Sequence, residues 1–258
     1  MQRSIKKIIG TKLFSKEGAI GKVKDCLFDD SIWVLRYLVA DTGTWLPGRK
    51  VLISQLHLES PGVGLLSKQF PVNLTKRQIE ESPDLDINAP VSRQYEQAYA
   101  NYHKTSVYWD TPIMRVFPAP TVTGVSSQSS KLDENAERKH QEQLERIKHS
   151  NLRSSDEILG YSIQASDGEF GHVEDFILED NTWKFRYLVI DSKNWLPGKK
   201  FLIDVDWVEA FDWEQQSASV GISRSTIESA PVFDPHEPIN KDDLENLYDY
   251  YGHVVRRP

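Results

Sequence analysis

The sequence predicts a mainly β protein (β+α): two small β-barrels, each followed by short helices, packed against one another as a pseudo-two-fold pair. Three observations predict it. A block of sequence recurs at a constant offset of 150 residues. Each copy is cut into short strand-like runs by glycine-containing turns. One of those runs is apolar on both of its faces, which a lone sheet with one wetted side does not need.

The repeat comes first because it fixes the architecture. Ile9–Leu58 aligns with Leu159–Val208 without a gap, with about 19 of 50 positions identical. RYLV (Arg36–Val39) returns as Arg186–Val189, and WLPG (Trp45–Gly48) as Trp195–Gly198. After a two-residue length change, Val72–Pro83 matches Val220–Pro231 more weakly, and a tyrosine-rich segment follows in both copies. Three regions result: 1–117 and 151–258 as modules, and 118–150 as a linker. Pro118–Ser130 is rich in Pro, Ser, Thr and Gly, and Lys131–His149 is charged with few large aliphatics. The latter has the composition of a solvent-exposed helix without a docking face.

Within each copy the elements can be placed in order. Glu17-Gly18 and Asp167-Gly168 are hairpin-turn dipeptides, since Gly supplies the positive φ such turns require. Strand runs IGKVKDCLF and FGHVEDFIL follow, then Trp33–Asp41 and its counterpart. Pro47-Gly48 and Pro197-Gly198 mark a second turn before the aliphatic runs VLI and FLI. In Trp33–Asp41 one face carries Trp33, Leu35, Tyr37 and Val39, and the other Val34, Arg36, Leu38 and Ala40. Such a strand needs cover on both sides, and the other module or a terminal helix is the natural cover. Thr75 and Gln78 have capping-box spacing ahead of a helix ended by Pro83. Ser92 and Asn240 are N-cap candidates for the tyrosine-rich helices.

Composition bounds the function. The 258 residues carry a net charge of −7, mildly unfavourable for nonspecific nucleic-acid binding. The distribution says more: residues 1–117 hold about 16 Lys/Arg against 12 Asp/Glu, and 151–258 about 10 against 21. A basic module is therefore joined to an acidic one. The start, MQRSIKKIIGTKLF, lacks an apolar run long enough for a signal peptide, and no segment approaches a membrane span. The expected setting is cytoplasmic and bacterial. Cys26 is the only cysteine, so it forms no intramolecular disulfide and no cysteine-based zinc site. Opposite Phe176 in the repeat, it reads as a small buried hydrophobe.

The pattern G-x-x-G-x-V-x-D occurs at Gly18–Asp25 and Gly168–Asp175, followed by RYLV-x-D and LPG-x-K. It resembles the PRC-barrel domain, named for the photosynthetic reaction centre H subunit and found in RimM-type ribosome maturation factors. The tail Tyr95–Trp109 is similar to the aromatic segment of stand-alone members. Neither the spanning helix of the one relative nor the additional N-terminal domain of the other is expected from residues 1–258. The resemblance implies a barrel that contacts proteins, RNA or a larger complex without performing chemistry.

No HExxH motif, Walker loop or GxSxG elbow is present, so no enzyme and no cofactor or metal is expected. The histidines do not repeat: His57 faces Trp207 and His172 faces Lys22 in the alignment. Asp25, Asp29 and Asp30, with Asp175, Glu179 and Asp180, are acidic groups near a hairpin end; without an EF-hand glycine they read as solvated turns. The polar or aromatic residues shared by both copies (Arg36, Arg186, Asp41, Asp191, Trp45 and Trp195) read as structural, with Arg pairing a carboxylate. The interaction candidates are Tyr108 and Trp109 in an apolar segment, and Lys6, Lys7, Lys22 and Lys24 in the basic module. The favoured expectation is a scaffold for an unidentified protein partner, with the two modules paired within the chain. An RNA- or ribosome-associated factor is the alternative, and a peripheral membrane or photosynthetic-complex partner the third.

Overall fold

The computed structural model describes residues 2–59, 69–83, 91–107, 151–192, 198–237 and 241–255. The chain divides into two compact units, one formed by Met1–Thr75 with Leu152–Pro258, the other by Lys76–Asn151. The expected linker 118–150, Tyr108, Trp109, Trp195 and Asn240 lie outside the described residues.

In the larger unit the first half runs β1 (Gln2–Ser4), α1 (Ile5–Ile8), β2 (Lys12–Ser15), β3 (Gly18–Asp29), β4 (Val34–Asp41), β5 (Lys50–Ser54) and β6 (Gln69–Pro71). The second half repeats the series 150 residues later: β7 (Leu152–Ser154), α4 (Ser155–Ile158), β8 (Ser162–Ala165), β9 (Gly168–Glu179), β10 (Lys184–Asp191) and β11 (Lys200–Asp204). It continues with β12 (Val208–Asp212), β13 (Ser217–Val220), a short helix α5 (Arg224–Glu228), β14 (Val232–Phe233) and α6 (Lys241–Val255). The smaller unit holds α2 (Lys76–Glu80) and α3 (Arg93–His103).

The protein is mainly β, and its fourteen described strands form one mixed sheet that is not closed. The strand path is β12-β13-β8-β9-β10-β4-β3-β2-β6. It passes from one half to the other through the single pairing Lys184↔Val34. Two backbone bonds flank that point, Leu35 N–H to Trp183 O (2.8 Å) and Phe185 N–H to Trp33 O (2.7 Å). Trp33 and Trp183 both adopt the left-handed conformation, at φ 57° and 55°. Bulky residues rarely do so, and the paired bonds at the seam hold them there.

The turn glycine has the expected positive φ, but the turn sits one residue earlier than the Glu17-Gly18 dipeptide suggests, and Gly18 opens β3. Ser15 pairs with Gly18 across the two-residue loop Lys16–Glu17, with Gly18 at φ +116°. The motif's second glycine has a stronger reason. A Cβ on Gly21 would lie 2.1 Å from the Asp41 carbonyl oxygen, and one on Gly171 2.4 Å from that of Asp191. Only glycine lets β3 and β9 run this close to the ends of β4 and β10. The two-sided reading of Trp33–Asp41 also holds: Trp33, Leu35, Tyr37, Leu38, Val39 and Ala40 are all buried.

In the smaller unit Ser92 caps α3, its hydroxyl accepting from Tyr95 N–H at 3.2 Å. Tyr95 donates to Pro83 O at 3.0 Å, and Tyr99 is buried with its ring 4.3 Å from His103. In the larger unit α6 carries the buried Leu247 and Tyr251; Tyr251 donates to Leu202 O at 3.0 Å and meets Trp207 edge-on.

Candidate functional site

The best-built polar site is the seam where each half lends its first strand to the other. β1 pairs antiparallel with the end of β9, matching Gln2, Arg3 and Ser4 to Glu179, Leu178 and Ile177. β7 does the same to β3, matching Leu152, Arg153 and Ser154 to Asp29, Phe28 and Leu27. The exchange is reciprocal, and the two registers correspond residue for residue.

Each arm is held by a carboxylate at the start of its short helix. Asp25 accepts from Ser154 Oγ at 2.7 Å, Ser155 Oγ at 3.0 Å and Asp156 N–H at 3.2 Å. Asp175 accepts from Ser4 Oγ and, at 3.0 Å, from Lys6 N–H. Ser4 and Ser154 also cap their own helices, accepting from Lys7 N–H (3.2 Å) and Glu157 N–H (3.1 Å). One hydroxyl thus satisfies a free helix N–H and donates across the seam. Ion pairs repeat the theme: Arg3 with Asp180 at 2.7 Å, and Arg153 with Asp30 at 2.9 Å.

Four of the acidic residues near the hairpin ends, Asp25, Asp30, Asp175 and Asp180, therefore fasten the arms, while Asp29 and Glu179 bond within their own hairpin turns. Burial pushes the Asp175 carboxyl above its ordinary range, against the hydrogen bonds from Ser4, Lys6 and Phe176. Burial likewise raises Asp30, with Arg153 opposing. Among the described residues no group of three or more His, Cys, Asp or Glu is arranged to hold a metal ion.

Beneath the polar clasp lies a ring cluster drawn from both halves. Phe28 sits 5.9 Å from Phe176 and 4.7 Å from Phe185, and stacks on Trp33 at 5.4 Å. Trp33 in turn meets Phe211 at 5.7 Å. Phe28, Phe176 and Phe185 are fully buried, each such ring contributing about 1.5–3 kcal/mol. Cys26 is also fully buried, and burial, then the Asp25 charge, push its thiol well above the ordinary value, leaving it an unreactive packing group.

The sequence-based candidates distribute unevenly over this frame. Lys6 reaches Glu174 at 3.1 Å and Lys7 reaches Pro235 O at 3.1 Å, so both belong to the seam side. Lys22 and Lys24 are exposed on β3, and Lys12 lies directly opposite Lys22 on β2. Arg186 pairs with Glu179 at 2.9 Å, while Arg36 is half-buried on β4. Asp41 accepts from Gly43 N–H at 2.9 Å in a local turn, and Asp191 is half-buried at the end of β10. Trp45 lies in the turn after β4. Arg3, Ser4, Arg153 and Ser154 were not singled out by sequence. The signal was present: Arg3, Ser4 and Ile8 recur as Arg153, Ser154 and Ile158, extending the repeat upstream of Ile9 at the same offset.

The second half carries the arm, the G-x-x-G-x-V-x-D stretch of β9 and the long hairpin in one continuous run. Residues 151–216 match the model of the PRC-barrel domain. The PRC-barrel segment spans β7 through β12, and so includes Ser154, Asp175 and Arg186. No curated protein matches the chain.

Proposed function

We propose that this protein is a non-catalytic scaffold in which two PRC-barrel modules, the first resembling the matched second, pair within one chain and present their outer surfaces to a protein partner. The observation that carries the reading is the reciprocal exchange of β1 and β7. It commits Arg3, Ser4, Asp25 and Asp30, with Arg153, Ser154, Asp175 and Asp180, to holding the chain together. Arms, carboxylates and rings at the seam are used up by each other, which leaves outward-facing strands and helices for recognition. The PRC-barrel resemblance supports a binding role of this kind.

A second reading has its own observation. Lys12 and Lys22 face each other on β2 and β3, with Lys24 exposed two residues on. The equivalent positions in the second half are Ser162, His172 and Glu174. A basic strip confined to one half suits RNA or a ribosomal particle. One experiment separates the readings: capture of the tagged full-length chain from native lysate at low and moderate salt, beside Lys12→Glu/Lys22→Glu. A discrete protein retained at moderate salt by both chains supports the scaffold. RNA and ribosomal proteins, lost with salt and lost in the variant, would replace it with the second reading.

A further inference from the structure

We propose that the two halves are matched and not interchangeable: the seam carries a charge and size code that fits the first half to the second and disfavours either half pairing with another copy of itself. This rests on the observed strand exchange and is independent of what the outer surfaces bind.

The charge part lies at two equivalent places. On one arm Lys6, in α1, meets Glu174, which also accepts from Lys200. Glu174 is the extra residue of a β-bulge, between Val173 and Asp175 in β9. On the other arm the position of Lys6 is taken by Asp156, and the bulge position in β3 by Lys24. The backbones agree, since Asp156 N–H reaches Asp25 just as Lys6 N–H reaches Asp175. The signs are simply exchanged. Two first halves would bring Lys6 against Lys24, and two second halves Asp156 against Glu174. Like charges placed so disfavour the wrong pairing.

The size part lies in the ring cluster. The first half contributes Cys26, Phe28 and Leu35, where the second contributes Phe176, Leu178 and Phe185. All six are buried, and Phe28 packs against both of the second half's rings, which also touch each other at 5.3 Å. A pair of first halves would join two rings and two small thiols, leaving voids. A pair of second halves would crowd four rings into the same space. Underpacking and overpacking both destabilise. By contrast the Ser4–Asp175 and Ser154–Asp25 bonds and the two arginine–aspartate pairs recur on both arms, so they hold without selecting; the Ser155 bond to Asp25 has no counterpart at Ile5.

The test uses the full chain carrying a protease site within 118–150. The folded protein is cleaved, unfolded in denaturant and refolded, and native mass spectrometry counts the pairs. Mixed first–second pairs are expected in about tenfold or greater excess over either self-pair. Lys6→Asp/Asp156→Lys exchanges the arm charges while leaving Glu174 and Lys200 alone. It should raise the self-pairs at low salt, and the rise should vanish at high salt. The excess remaining at high salt reports the ring packing. A statistical mixture from the unaltered protein overturns the proposal, and an unmoved ratio in the variant overturns its charge part. Should the cleaved halves fail to refold, the intact variant is melted instead. A melting temperature lowered at low salt and restored by high salt is expected; no difference at low salt overturns the charge part of the code.

Discussion

Glu174 and Asp175 are neighbours whose carboxyls are displaced in opposite directions. Burial works against the Glu174 charge, but hydrogen bonds from Lys200 and Lys6 outweigh it and hold the group below its ordinary value of 4.5. Burial dominates at Asp175, whose carboxyl lies above its ordinary 3.8. The linkage signs follow. Glu174 stabilises the fold fully above about pH 4.5, and that contribution is lost as pH falls through its depressed native value. Asp175 acts oppositely, its burial cost being relieved as pH falls toward 3.8. Glu174→Gln is expected to lose about 0.2–1 kcal/mol at pH 7, a part-exposed pair being worth no more. The gap to the unaltered protein should narrow only as pH falls below 4.5 and close beneath the depressed native value in urea titrations. A gap that persists in acid would detach Glu174 from the ion pairs. Sequence could show that Asp25 and Asp175 recur, but not what they hold, because their partners lie 129 and 171 residues away.

The hairpins were the most legible elements. Gly18, Gly48 and the alternating strand runs announce them locally, and the buried strand β4 betrays a second covering layer through its two apolar faces. The arms were not legible, since three residues are too few to show a period and β1 and β7 exist only by pairing with a distant strand. The closeness of β9 to β10 was legible only as an unexplained glycine. It yields a sharp expectation at this scale. Gly171→Ala would place its Cβ 2.4 Å from a backbone oxygen that no rotamer change can move. A loss of about 1–3 kcal/mol is expected from the strand displacement, read as a shift of the denaturation midpoint at unchanged slope. Stability equal to the unaltered protein would mean the strands separate freely there.

At the scale of the molecule the halves are joined by both arms, the Phe28 cluster and the crossed bonds of Trp33 and Trp183. Neither half keeps its seam without the other. Urea unfolding of the larger unit is therefore expected to be a single transition, with tryptophan fluorescence and far-ultraviolet dichroism superimposing. Two separated transitions would show halves that fold alone. Composition and the two-sided strand lead to the expectation of two barrels packed as a pair, whereas the described strands form one open sheet joined by an exchange; opposite net charges say that two bodies attract and nothing about which strand crosses.

That exchange also sets an order of events during synthesis. Gln2–Ser4 finds its partner strand only at Ile177–Glu179. At roughly 5–20 residues per second, the N-terminal strand waits roughly 10–35 s for the codons of its mate to be read. Until Ser154 has been made the end of β3 has no β7 beside it, and until Phe176 and Phe185 follow, Phe28 lacks the second half's rings. The newborn first half is thus an open-edged intermediate by construction. On a polysome its nearest neighbours are other first halves, and the charges on Lys6 and Lys24 set those neighbours against one another.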